Sequence, residues 1–74
     1  MGRLPTDLSG QAMRRALEKA GFVLQRQRGS HMILRRSEPY ARAVVPDHKR
    51  LRPGTLRHIL HEAGLTVQQL KELL

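Results

Sequence analysis

The sequence predicts an α+β domain: two amphipathic helices on one face of a three-stranded antiparallel sheet, followed by a short C-terminal helix. Three observations carry this. Apolar residues recur at i, i+3, i+4 and i+7 in two separate segments, each stopped by a glycine: Met13, Ala16, Leu17 and Ala20 before Gly21, and Leu56, Ile59, Leu60 and Ala63 before Gly64. Between them lie three short runs of strand character, parted by Gly29-Ser30 and by a turn at Pro39. Finally, 74 residues suffice for one domain, at a size where only about 60% of the unfolded surface becomes buried. The expected organisation is therefore a single domain over 1–74, with 1–8 as a loose leading segment.

The first helix begins at Ser9, a favoured N-cap, with Leu8 before it placed to staple onto Met13. Strands are expected over 22–28 and 31–36, joined by a two-residue type II′ turn in which Gly29 takes the positive φ. The segment Ser37 to Tyr40 makes a second turn, and "ARAVVP" a third strand closed by Pro46, which cannot continue a ladder. Pro53 and Gly54 precede or open the second helix. Thr66 and Gln69 form a capping box for the last helix, whose apolar side is Val67, Leu70, Leu73 and Leu74. This α-β-β-β-α order is that of a double-stranded-RNA-binding-domain-like fold, with one sheet face covered and the other open to solvent.

Charge narrows the partners. Fourteen Lys and Arg against six Asp and Glu give a formal net charge of +8, and eleven of the cations are arginine. Such a surface seeks polyanions, and arginine forks onto phosphate and stacks on exposed bases. The basic residues are scattered rather than gathered opposite one apolar stripe, which disfavours a membrane-binding helix. No apolar run reaches the length of a membrane span, and the first ten residues hold no apolar signal core, so no membrane partner is expected and export by that route is not. With no cysteine, disulfides and thiolate metal sites are excluded, and a cytoplasmic location is expected. No paired carboxylates, glycine-rich phosphate loop or Ser-His-Asp set stands out.

The hairpin holds the main candidate for chemistry. A Gly29-Ser30 turn sets Arg28 opposite His31, Arg26 opposite Ile33 and Leu24 opposite Arg35. One face then carries Leu24, Arg26, Arg28, His31, Ile33 and Arg35, and the other Val23, Gln25, Gln27, Met32, Leu34 and Arg36. The second suits the helices better, yet Leu24 and Ile33 sit among cations on the first, and a bulge or a one-residue slip would exchange the faces. A histidine beside phosphate-binding arginines fits RNA cleavage: imidazole can take the proton from a 2′-hydroxyl or give one to the leaving 5′-oxygen. Arg26, Arg28 and Arg35 would hold the phosphate and offset its charge. The plainer alternative is that His31 is an ordinary exposed strand residue.

"RQRGSH", "VPDH" and "LRPGTLRHILHEAGLT", in that order and separation within a short basic chain, resemble the HicA family of bacterial type II toxins. The likeness extends from Ser9 to the C-terminus. It implies a ribonuclease of double-stranded-RNA-binding-like fold that cleaves mRNA without a metal or other cofactor and is inhibited by a co-encoded HicB-like antitoxin. The family's catalytic histidine maps onto His31. Leu70 stands where relatives often have phenylalanine, and Met32 where they often have a polar residue or a second histidine.

Other residues have lesser claims. His48, in the family's "VPxH" pattern, is a candidate second acid or base, or else a plain loop residue. Lys49, Arg50, Arg52 and Arg57 surround the start of the second helix, where first-turn N–H groups attract phosphate; the alternative is a solvated basic loop. A true duplex binder places a lysine cluster at the corresponding helix start, and its absence points to a substrate that is single-stranded or a strand opened by translation. His58 and His61 read as exposed helix residues, and no compact set of four metal ligands appears. Two further readings remain open: a non-catalytic basic RNA-binding module, and a basic docking surface for an acidic protein.

Overall fold

The computed structural model describes residues 3–74. Elements run in the order α1 (Gly10–Lys19), β1 (Val23–Arg28), β2 (His31–Ser37), β3 (Tyr40–Pro46), α2 (Pro53–Ala63) and α3 (Val67–Leu73), with the strands in antiparallel order β1-β2-β3. This is the expected α+β, double-stranded-RNA-binding-domain-like layout.

Local chemistry explains the boundaries. Ser9 Oγ accepts from the Ala12 N–H at 3.0 Å and caps α1. At its other end Gly21 takes φ +96°, and the Gly21 and Phe22 N–H groups return to the carbonyls of Glu18 and Leu17, a Schellman closure. Gly64 (φ +71°) ends α2 in the same left-handed conformation. Thr66 and Gln69 form the reciprocal capping box that opens α3. In the hairpin, Gly29 has φ +56° while Ser30 keeps a negative φ, the sign pattern of a type II′ turn.

The β1–β2 register differs from expectation at one place. Arg28 pairs His31 and Arg26 pairs Ile33 as expected, but a bulge at Gln25 then sets Leu24 opposite Leu34 and Val23 opposite Arg35. The extra residue inverts the pleat. Leu24 turns to the helix side and packs partly against the core, whereas Val23 emerges on the open face, 66% exposed. Burying the larger side chain is the physical gain: Leu24 leaves the cationic face, while Ile33 stays on it.

One core lies between the sheet and the helices. Met13, Ala16 and Leu17 of α1, Leu56, Ile59, Leu60 and Ala63 of α2, and Leu70 of α3 meet Met32, Leu34, Ala41, Ala43 and Val45 of the sheet. The alanines of β3 leave room for α2 to lie against that strand, and α1 packs on all three strands and on α3. Met32 and Leu70, the two departures from the family pattern, are both fully buried packing residues. Leu74 is not part of the apolar side expected for it; at the chain end it is 51% exposed.

Of the leading segment, Met1 and Gly2 lie outside the described residues. Leu4 packs partly against the core and Leu8 is buried within it, while the Thr6 carbonyl accepts from Arg50 Nε at 2.8 Å. Among the described residues no helix is long and apolar enough to cross a membrane.

Arg36 joins the layers. Its side chain points to the helix side, stacks over the Phe22 ring at 4.7 Å, and donates to the carbonyls of Pro39 (2.9 Å), Ala20 (3.5 Å) and Ala63 (3.4 Å). Ala20 and Ala63 lie at the C-terminal ends of α1 and α2, where carbonyls lack helical partners and the dipole favours a cation.

Candidate functional site

The open face of the sheet is built by alternation. Strand β2 presents His31, Ile33, Arg35 and Ser37 there, and their partners on β3 are Pro46, Val44, Arg42 and Tyr40. Strand β1 adds Arg28, Arg26 and, beyond the bulge, Val23. His31 is exposed, at the first position after the turn, between Arg28 on one side and Pro46 on the other. It lies on the side away from the helices, open to a large substrate.

The sequence-nominated arginines gather as expected. Arg26, Arg28 and Arg35 share the face of His31 and are exposed. Among the described residues no ion pair engages them, whereas Arg14 pairs with Glu18 and Arg50 with Asp7. Arg35 Nη2 donates to Ser37 Oγ at 3.3 Å, and its guanidinium lies 5.9 Å from the Tyr40 ring centre. Ile33 is only 6% exposed although it lies outside the core. It floors a shallow depression whose other walls are Gln25, Arg26 and Arg42.

The second basic group forms around the loop that follows β3. His48 is exposed and, with Arg50, Arg52 and Thr55, lines another shallow depression. Pro46, the cross-strand partner of His31, forms one wall of it, so the two histidines flank the same proline. Arg52 is the N-cap of α2 and gives no side-chain cap bond; Pro53 follows at the first helical position. The first-turn N–H groups of α2 are therefore left for solvent or an anion. Lys49 and Arg57 are exposed nearby, whereas the Arg50 guanidinium is engaged with Thr6 and Asp7.

A linkage between residues far apart in sequence holds this region together. The Asp47 N–H donates to the Ser30 carbonyl at 2.6 Å, tying the loop to the turn that precedes His31. The Asp47 carboxylate accepts from Gln11 Nε2 (3.1 Å) and Gln27 Nε2 (3.4 Å). Gln27 also donates to the Gly29 carbonyl at 3.1 Å. One residue on, the His48 carbonyl accepts from the Gly10 N–H at 2.9 Å. Gly10 allows that approach because a β-carbon there would collide with the Pro46 carbonyl oxygen. Helix α1, the hairpin turn and the His48 loop thus form one braced unit.

His58 and His61 are exposed on α2, away from this region. His58 Nε2 lies 3.5 Å from Glu62 Oε2, and the other Glu62 oxygen accepts from the Val44 N–H of the edge strand at 3.3 Å. Among the described residues no three His, Cys, Asp or Glu side chains gather as metal ligands.

A family model described as the HicA toxin of bacterial toxin-antitoxin matches residues 10–65, from the start of α1 to the residue after the α2 stop. No curated protein matches the chain.

Proposed function

The chain belongs to the HicA family of toxins of bacterial toxin–antitoxin systems, and from that premise we propose that it is an endoribonuclease that cuts mRNA with His31 as general acid or base and without a metal. The observation that carries this is the exposure of His31 on an open sheet face beside Arg28, with Arg26 and Arg35 on the same face. In the reaction the 2′-hydroxyl of one nucleotide attacks the adjoining phosphorus, and the bond to the 5′-oxygen of the next nucleotide breaks. A 2′,3′-cyclic phosphate and a 5′-hydroxyl result. The proton lost by the 2′-oxygen goes to a base and the 5′-oxygen gains one from an acid, so neutral imidazole serves the first step and imidazolium the second. The arginines bind the RNA backbone, and Arg28, paired with His31, stabilises the extra charge of the five-coordinate transition state.

One histidine serves one of these transfers. His48, across Pro46 from His31, is the proposed source of the other. Lys49, Arg50, Arg52 and Arg57 extend the cationic surface toward α2 and are proposed to bind the flanking RNA backbone. The whole chain acts as one domain in this reading, because α3, outside the matched span, places Leu70 in the common core. Family membership implies an antitoxin partner; a HicB-like protein is the proposed one, and the cytoplasm, where mRNA is translated, the proposed location.

The test is incubation of purified protein with single-stranded RNA in excess EDTA. Fragments ending in 2′,3′-cyclic phosphate are expected. Binding that weakens steeply with salt, without fragments, would instead make the chain a non-catalytic RNA-binding module.

A further inference from the structure

Two side chains on the open face have no part in the proton chemistry at His31. Tyr40 and Arg42 stand on β3 toward the far end of the sheet, and no motif in the sequence singled them out. We infer that this face is a track for single-stranded RNA running from His31 to Tyr40, with Tyr40 as a base-stacking platform and Arg42, with Arg26, as a seat for a backbone phosphate. The inference rests on the ribonuclease reading for its starting point at His31.

The ladder between β2 and β3 orders the track. His31–Pro46, Ile33–Val44, Arg35–Arg42 and Ser37–Tyr40 follow one another along the same face. Six residues separate His31 from Ser37, a span of about 20 Å at strand rise. At about 3.4 Å per phosphate along one strand, that length takes about six stacked nucleotides, and fewer if they are drawn out.

The chemistry along that length is suited to a single strand. Tyr40 is 65% exposed, in contrast to Phe22, which is 2% exposed in the core. Its neighbour is the Arg35 guanidinium, so ring and cation together offer a base both a π-face and a planar charge. Arg26 and Arg42 flank the depression floored by Ile33, which sets two guanidiniums around an apolar base. Among the described residues neither is in an ion pair, and the strand positions of this face carry no carboxylate. A duplex hides its bases from such a platform; an unpaired strand presents them. Cations alone would serve an acidic protein equally well, but the exposed ring beside a guanidinium favours nucleic acid.

The experiment uses His31→Ala protein, which holds RNA uncut, and measures its affinity for oligoribonucleotides of increasing length. Affinity should rise with length to about six nucleotides and then level off. On that background Tyr40→Ala should weaken binding of an octanucleotide about tenfold, while Tyr40→Phe stays within about twofold, as expected for stacking. Arg42→Ala should lower the slope of log affinity against log salt by about 0.7, one phosphate contact of a single strand. Unchanged affinity in Tyr40→Ala, or a loss confined to binding of an acidic protein partner, overturns the track. If wild-type protein cuts RNA while Tyr40→Ala changes nothing, the track alone falls. If binding depends on Tyr40 and on length but wild-type protein never cuts, the track stands and the ribonuclease reading falls.

Discussion

The two faces of the sheet are made from the same three strands and share almost no chemistry. Toward the helices, Met32, Leu34, Ala43 and Val45 are wholly buried. Toward solvent, alternate positions on those strands hold His31, Arg35 and Arg42. Pleat alternation lets neighbouring residues in sequence answer to different demands: one face holds the fold, and the other is free to carry charge that the fold does not need. Arg36 is the exception that sharpens the contrast. It is a cation on the covered face, and it is matched there to helix-end carbonyls and to the Phe22 ring.

Substitutions on adjacent residues should therefore separate stability from activity. The largest structural effect is expected from Leu34→Ala. Removing a fully buried leucine costs about 2–5 kcal/mol, against about 4–11 kcal/mol of total stability for a chain of this length. Chemical denaturation should show a strongly lowered midpoint. A loss below about 1 kcal/mol would mean that the covered face does not hold the fold as described. Gly10→Ala comes next. The new methyl group meets the Pro46 carbonyl, so α1 and the loop must part, at about 1–3 kcal/mol for an overpacked contact.

Asp47→Ala tests the bracing between the two regions. The carboxylate is exposed, so thermal stability should change by less than about 1 kcal/mol. Cleavage should nevertheless fall about tenfold through kcat, with KM little changed, because Gln27 of the His31 hairpin loses its side-chain tie to the loop and only the Asp47 N–H bond to Ser30 remains. Asp47→Asn keeps one acceptor for Gln11 or Gln27 and should recover part of the rate. Equal rates for all three proteins would make the Gln11–Asp47–Gln27 linkage incidental. The smallest stability effect belongs to Arg26→Ala on the open face, within about 0.5 kcal/mol of wild type. Its RNA affinity should show a salt slope lower by about 0.7.

Local signals made most of the fold legible. Caps, glycine stops, strand-breaking prolines and helical stripes each act within a few residues of sequence, and Ser9, Gly21, Gly29, Gly64 and Thr66 do what their types favour. A bulge was legible as an alternative in the misplaced Leu24, but its position at Gln25 was not, because it is decided by competition between Leu24 and Val23 for the core. The candidate site divides in the same way. His31 and its arginines follow from the two-residue turn and strand alternation. The Asp47 linkage joins residues 36 and 20 positions apart, and nothing in either local pattern announces it. Tyr40 and Arg42 reach the His31 face only through the β2–β3 register, which depends on the whole hairpin.

The contrast between the faces rests finally on His31: exposed, outside the core, and proposed to carry the reaction. The direct measurement is the RNA-cleavage rate of His31→Ala beside its thermal unfolding curve, both against wild type. An unfolding curve that superimposes on wild type, with cleavage reduced about 10²–10⁴-fold, is the result predicted for an acid–base residue that the fold does not need. A folded His31→Ala protein that still cuts RNA at the wild-type rate would contradict the central claim.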